Sequence, residues 1–176
     1  MSLVFLLGGA RSGKSSLAVE LAQRAEEPVI VLATAEARDE EMAERIREHR
    51  DARPTHWHVV EEPVELTAAL RRIDGAATIV VDCLSLWVAN VMERGDAVAE
   101  VEQHARDAAG YAAARDALTI AVSNEVGLGI VPTSELARRY RDVLGCVNAA
   151  WAAAADEAAF VVAGRALRLE SSGALL

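Results

Sequence analysis

Apolar residues come along the chain in two alternating periods. Leu3-Val4-Phe5-Leu6-Leu7 is an unbroken apolar run closed by Gly8-Gly9, the mark of a short strand buried on both faces. From Lys14 onward the period changes, and Leu17, Ala18, Leu21 and Ala22 recur at helical spacing until Glu26-Glu27-Pro28 interrupts them. The same alternation continues. Val29 to Ala33 predicts a second strand, about Asp39 to Asp51 a charged helix, His56 to Val60 a short strand and Pro63 to Ile73 a helix. Thr78 to Val81 reads as another buried strand, Leu84 to Val91 as an amphipathic segment and Ala97 to Arg115 as an alanine-rich helix. Leu118 to Val122 is the next strand, followed by the turn-rich Gly127 to Pro132. A long helix is expected over Ser134 to Ala155, and Ala159 to Ala163 with Ala166 to Leu169 reads as a closing strand pair.

The turn between the first strand and the first helix is Gly8-Gly9-Ala10-Arg11-Ser12-Gly13-Lys14-Ser15, which matches G-x-x-x-x-G-K-[ST] in the strand-to-helix context that the motif requires. Such a loop turns backbone N–H groups inward around phosphate oxygens, and the helix N-terminus adds partial positive charge. Lys14 then reaches the β and γ phosphates, and Ser15 offers its hydroxyl to Mg²⁺. Ile79-Val80-Val81-Asp82 has the form of a strand that ends in a metal-holding carboxylate; the other reading of Asp82 is a cap for the helix starting near Leu84. Strands alternating with helices around this motif predict an α/β, P-loop NTPase-like three-layer fold with a mostly parallel central sheet and a C-terminal strand pair. At 176 residues, without repeats or a Ser/Pro-rich linker, the chain is expected to be a single domain over 1–176. Gly95-Asp96 is its weakest point and a candidate mobile loop.

Composition narrows the ligand. The chain is 52% hydrophobic and 26% charged with a net charge of -9, which argues against a nucleic-acid partner, since that binding needs Lys and Arg on phosphates. A small anion held by local positive charge fits better. Cys83 and Cys146 stand alone, so neither a disulfide framework nor a zinc site is suggested. No basic stretch precedes Leu3 to Leu7, and no run approaches the ~20 apolar residues that span a bilayer; no membrane insertion and a cytoplasmic location are expected. Of 18 Lys plus Arg, Lys14 is the only lysine. A compact ammonium on a flexible stem is not replaceable by a planar guanidinium where phosphate sits in a tight loop.

Two further segments carry candidate chemistry. Arg45, Arg47, Arg50 and Arg53 surround His49 in an otherwise acidic protein, which is where positive charge belongs if an anion visits, and cations beside an imidazole favour its neutral, nucleophilic form. The plain alternative is a solvated helix face. Ser123 to Pro132 follows a strand and so lies at the carboxyl edge of the sheet, where open α/β folds bind ligands; the alternative is a connector with two glycines. The chain has no N-K-x-D guanine-reading motif, which counts against a regulatory GTPase.

Taken together, these segments resemble the bifunctional adenosylcobinamide kinase/adenosylcobinamide-phosphate guanylyltransferase family of cobalamin biosynthesis. The likeness covers nearly the whole chain: Gly8 to Ser15, Ala33-Thr34-Ala35, Arg45-Ile46, His49 to Pro54 with Trp57, Glu61, Asp82-Cys83, Asn124 to Pro132, Arg141-Asp142, Gly145, Val147-Asn148 and Ala153 to Glu157. It implies phosphorylation of the cobinamide hydroxyl with ATP or GTP, then transfer of GMP from GTP onto that phosphate through a guanylylated histidine. The family's histidine lies between the Arg-Ile and Arg-Pro pairs, and His49 is the histidine of this chain in that interval. The resemblance also implies nucleotide contacts at Gly8, Gly9, Ala10, Arg11, Ser12, Gly13, Lys14, Ser15, Ala33, Thr34, Ala35, Arg50, Asp51, Ala52, Arg53, Glu61 and Asp82. Lys14 and His49 are the expected catalytic residues, Ser15 and Asp82 the expected Mg²⁺ ligands, and a homotrimer the expected assembly. Some members carry Glu at position 82, so the shorter Asp82 leaves direct and water-mediated metal contact both open. Two other readings remain at this point: a monofunctional P-loop kinase of a small metabolite, and a nucleotide-dependent binding module.

Overall fold

In the computed structural model, which describes residues 2–25, 28–73, 75–171 and 173, the chain alternates strands and helices throughout. The elements are β1 (Leu3–Gly8), α1 (Lys14–Gln23), β2 (Val29–Ala33), α2 (Glu40–Asp51), β3 (His58–Glu61), α3 (Leu66–Arg72), β4 (Thr78–Asp82), α4 (Leu84–Arg94), α5 (Val98–Ala113), β5 (Thr119–Asn124), α6 (Glu135–Ala154), β6 (Glu157–Val162) and β7 (Arg165–Leu169). One seven-stranded sheet runs in the order β3-β2-β4-β5-β1-β6-β7. All neighbours are parallel except β6 and β7, which form an antiparallel hairpin at one edge. The expected mostly parallel sheet with a closing strand pair is therefore present.

Strand periodicity sorts the core into two layers. Leu3 and Phe5 of β1, Ile79 and Val81 of β4 and Ala121 of β5 face the helices α3 to α6, where Trp87, Leu144 and Trp151 are fully buried. Val4, Leu6, Val80, Ile120 and Val122 face the other way, against Ala18 and Ala22 of α1 and against Trp57. Truncating a buried Trp or Phe at such a site costs about 3–5 kcal/mol. Helix α2 belongs to neither layer, because it has no buried residue.

Several boundaries differ from the periodicity, each for a local reason. The third strand starts at His58 rather than His56, because Trp57 N–H closes a turn onto the Pro54 carbonyl at 3.2 Å. Helix α3 starts at Leu66 rather than Pro63: the Glu62 carboxylate accepts the amides of Val64 (3.3 Å) and Glu65 (2.9 Å) and pairs with Arg72 at 3.1 Å, holding the entry in a turn. Gly95-Asp96 is an ordered helix end rather than a loose loop. Gly95 takes a left-handed φ of 98° and the Asp96 amide returns to the Val91 carbonyl at 3.2 Å. The break expected at Glu26-Glu27 lies outside the described residues.

Candidate active site

Parallel pairing brings the strand ends together. In register, Gly8 lies beside Asn124, and Ala33 lies between Glu61 and Asp82, so residues far apart in sequence meet at one carboxyl edge of the sheet. Strand β5 separates β1 from β4, which sets the glycine loop and Asp82 one strand apart with Asn124 between them. A cleft of about 1480 Å³ opens there, lined by the glycine loop from Ala10 to Ser15, by Ala33 and Ala35, by most of α2 including His49, and by Arg50, Ala52, Arg53, Glu61, Asp82 and Asn124.

The glycine loop is shaped by the β6–β7 hairpin as well as by its motif. A β-carbon at Gly8 would overlap the Val161 carbonyl oxygen and stand 2.9 Å from Ser12 Oγ. Gly13 has φ +101° and its missing β-carbon would meet Gly164 Cα at 3.2 Å. The hairpin turn at Ala163 (φ 49°) and Gly164 (φ 72°) has the positive pair of angles that two-residue hairpins favour, and the Gly164 amide donates to the Ser12 carbonyl at 2.8 Å. On its other side the loop is tied to β5, where the Glu125 amide donates to the Gly8 carbonyl at 3.0 Å.

Lys14 is buried at the start of α1 and folds back into this loop. Its Nζ donates to the Gly9 carbonyl at 2.6 Å and reaches Ser12 Oγ at 3.4 Å. Burial pushes its pKa below the ordinary lysine value and Arg45 across the cleft adds to this, while Cys83 and Asp82 pull the other way. The ammonium is thus partly desolvated and poised to regain stabilisation from a phosphate.

Asp82 does not cap α4, since the residue at that helix start is Cys83 and no side chain caps it. Its carboxylate instead holds the guanidinium of Arg53, and both side chains are about nine-tenths buried, with 12% and 13% exposure. A mostly buried carboxylate already engaged with a cation, facing the same cleft as the Ser15 hydroxyl, supplies hard oxygen donors that fit Mg²⁺. Thr34 plays another part: fully buried, its hydroxyl accepts the Cys83 amide at 3.0 Å and donates to the Cys83 carbonyl at 2.7 Å, locking the ends of β2 and β4 together. Asp51 is exposed and off the cleft lining. Arg50 and Glu61 lie on the cleft 3.3 Å from each other, both mostly exposed, a pair that contributes little by itself.

The arginine-rich segment is less one-sided than its sequence suggests. Six arginines and Lys14 share the lining with Glu36, Glu41, Glu44, Glu48, Glu61 and Asp82. His49, in the last turn of α2, is half-buried on the cleft side. Two supporting residues were not anticipated from the sequence. Asn90 donates to the carbonyls of Thr34 (2.8 Å) and Pro63 (3.0 Å), and Arg38 reaches Asn90 Oδ1 at 3.1 Å. A polar residue on the apolar stripe of α4 was the one available signal for Asn90.

A glycine loop around a buried lysine, at the carboxyl edge of a parallel sheet with an acidic strand end nearby, defines a P-loop nucleotide-binding enzyme. The fold agrees with that of an ATPase from the type III secretion system of pathogenic bacteria, at TM-score 0.56 and 11% identity over 99% of this chain and 60% of that one. The chain belongs to the cobinamide kinase / cobinamide phosphate guanyltransferase family, whose profile matches residues 4–169. It is 44% identical to the bifunctional adenosylcobalamin biosynthesis protein CobP of Pseudomonas aeruginosa, covering 94% of this chain and 95% of that protein. It is 37% identical to CobU of Salmonella typhimurium, a protein of the same description, over 96% and 99% of the two chains. The corresponding Escherichia coli protein is 35% identical over 96% of this chain and 99% of its own length. No helix of the described residues is long and apolar enough to cross a membrane.

Proposed function

We propose that this chain phosphorylates adenosylcobinamide with ATP or GTP, and then transfers GMP from GTP to adenosylcobinamide phosphate through a guanylyl-histidine at His49, giving adenosyl-GDP-cobinamide. The observation that carries this reading is that His49 and the glycine loop with Lys14 line the same cleft, so both groups of residues face the space that a triphosphate would occupy. In the first reaction the loop amides and Lys14 bind the β and γ phosphates. The cobinamide hydroxyl attacks the γ-phosphorus, loses its proton, and the bond to the β–γ bridging oxygen breaks. In the second, a ring nitrogen of His49 attacks the α-phosphorus of GTP and pyrophosphate departs with the bridging oxygen, leaving GMP on the imidazole through a P–N bond. An oxygen of the cobinamide phosphate then attacks that phosphorus, the P–N bond breaks and His49 is free again. Arg45, Arg47 and Arg50 line the same cleft as the histidine and would balance charge as it develops.

Ser15 and Asp82 would hold Mg²⁺, and Arg53 would be released from Asp82 toward the phosphates. When bound with the triphosphate, the ion draws charge off the leaving group. The proposed assembly is a homotrimer, which light scattering on the purified chain reads directly, and the proposed location is the cytoplasm.

Base-labelled GTP provides the test. The expected result is covalent label that resists base and is lost in acid, present on the wild type and absent from His49→Ala. Full guanylyl transfer without label at any time would overturn the histidine route, and the absence of cobinamide phosphorylation with both ATP and GTP would overturn the kinase.

A further inference from the structure

The nucleotide cleft does not account for the segment after β5. Val126, Leu128, Ile130 and Val131, with Leu136 at the start of α6, are large apolar side chains with exposures of 39%, 80%, 98%, 61% and 70%. Isolated exposed apolar residues need no explanation, but a run of them on one loop does. This loop is continuous with the active site. Asn124, immediately before it, lines the cleft, and the Glu125 amide is bonded to the Gly8 carbonyl of the glycine loop. Its end is also held, since Arg138 Nη1 donates to the carbonyls of Pro132 (3.0 Å) and Thr133 (2.7 Å). Between these anchors, residues 128–131 make no backbone hydrogen bond to any other described residue.

We infer that the loop 126–131 with Leu136 is the docking surface for the corrin macrocycle of the acceptor substrate. The inference rests on the kinase and guanylyltransferase reading above and assigns that reaction's second substrate to a place. The arginines of the cleft suit a triphosphate, and the exposed apolar loop continues directly from the Asn124 side of that cleft. A corrin with methyl groups and carboxamides on its rim needs apolar contacts interleaved with backbone donors and acceptors. The loop offers both, at the strand end next to the glycine loop. A macrocycle seated there leaves its hydroxyl-bearing arm to extend past Asn124 toward the phosphates. Burial of the apolar side chains gives affinity, and the anchors at Glu125 and Arg138 set the loop's distance from the nucleotide.

The test uses the full chain with Leu128→Ser and Ile130→Ser combined; both residues are largely exposed, so the fold is not at stake. Cobinamide binding is followed by its own visible absorption, the kinase KM values for cobinamide and GTP are measured, and the mass in solution is taken by light scattering. The expected result is a rise in cobinamide Kd and KM of roughly ten- to a hundredfold, with the KM for GTP and the mass in solution unchanged. Leu167→Ser on β7, another exposed apolar position, should leave all three at wild-type values. An active double variant with an unchanged cobinamide KM overturns the inference and leaves the functional reading intact. A fall in mass assigns the surface to contacts between copies of the chain and overturns it as well. A wild type that neither binds nor phosphorylates cobinamide removes the functional reading, and the inference with it.

Discussion

Helices α1 and α2 each bring one candidate catalytic residue to the cleft, and they are held in opposite ways. Helix α1 carries Lys14 at its first position, buries Lys14, Ala18 and Ala22, and packs against β1, β4 and β5. Helix α2 carries His49 in its last turn and has no fully buried residue. Its attachments are its own N-cap, where Asp39 accepts the Met42 amide at 2.7 Å, and ion pairs such as Arg50–Glu61 just beyond the histidine. A phosphate cradle needs donors fixed before the ligand arrives, since preorganised dipoles act without reorganising. The histidine proposed to take up GMP and pass it on would have two partners to meet, and an element outside the core can serve that at little cost to the fold.

Lys14→Ala should have the largest effect. Both reactions lose about 10²- to 10³-fold or more, read as kinase and guanylyl-transfer rates under the same conditions. Wild-type rates in either would break the assignment of a shared triphosphate site. His49→Ala comes next and separates the two helices. Guanylyl transfer and the covalent adduct fall by at least about 10³-fold, while kinase turnover, GTP binding and the melting temperature stay near wild type. Equal loss of kinase activity would mean that α2 is needed for the active arrangement as a whole, and loss of the adduct in His56→Ala or His58→Ala instead would point to another histidine.

Stability gives a smaller and independent contrast. Ala18→Leu forces extra volume between α1 and the sheet and should destabilise by about 1–3 kcal/mol, whereas Ala43→Leu on α2 should remain within about 0.5 kcal/mol. Denaturant titration compares them, and amide exchange in α2 should be faster than in α1. Similar costs at the two positions would mean that α2 is part of the core after all.

The smallest effect is in pH dependence. Burial lowers the Lys14 pKa below its ordinary 10.5, so between the lowered value and 10.5 the unfolded chain binds the extra proton. Folding stability contributed by this group therefore rises with pH across that window. Activity moves the other way, because the ammonium that neutralises phosphate is lost: kcat/KM for the nucleotide should fall on an alkaline limb lying below pH 10.5. A limb at or above the ordinary lysine value would mean that Lys14 is solvated in the free enzyme.

Much of this protein was legible in its residues, for reasons that are local. The strand, glycine loop and helix at Leu3 to Gln23 follow from a change of apolar period around a motif whose spacing is itself the function. The lone lysine of the chain is the one that the fold buries inside the glycine loop. The parallel sheet follows from strands alternating with helices, and family membership from segments such as Asn124 to Pro132. Boundaries at His58 and Leu66 were not legible, because a turn at Trp57 and a carboxylate at Glu62 set them through single hydrogen bonds.

Tertiary structure decided what needs distance. Strand order placed β5 between β1 and β4, which seats Asn124 between the glycine loop and Asp82. It gave Asp82 to Arg53 rather than to a helix cap, and gave the Thr34 hydroxyl a role between strand ends that its sequence position did not announce. It also added a second reason for Gly8, where the β6–β7 hairpin leaves no room for a β-carbon, and crowded Gly13, whose φ is positive. A sequence fixes which residue types stand at which spacing along one chain. Which strand lies beside which, and so which carboxylate meets which guanidinium, depends on how all the apolar faces are buried at once.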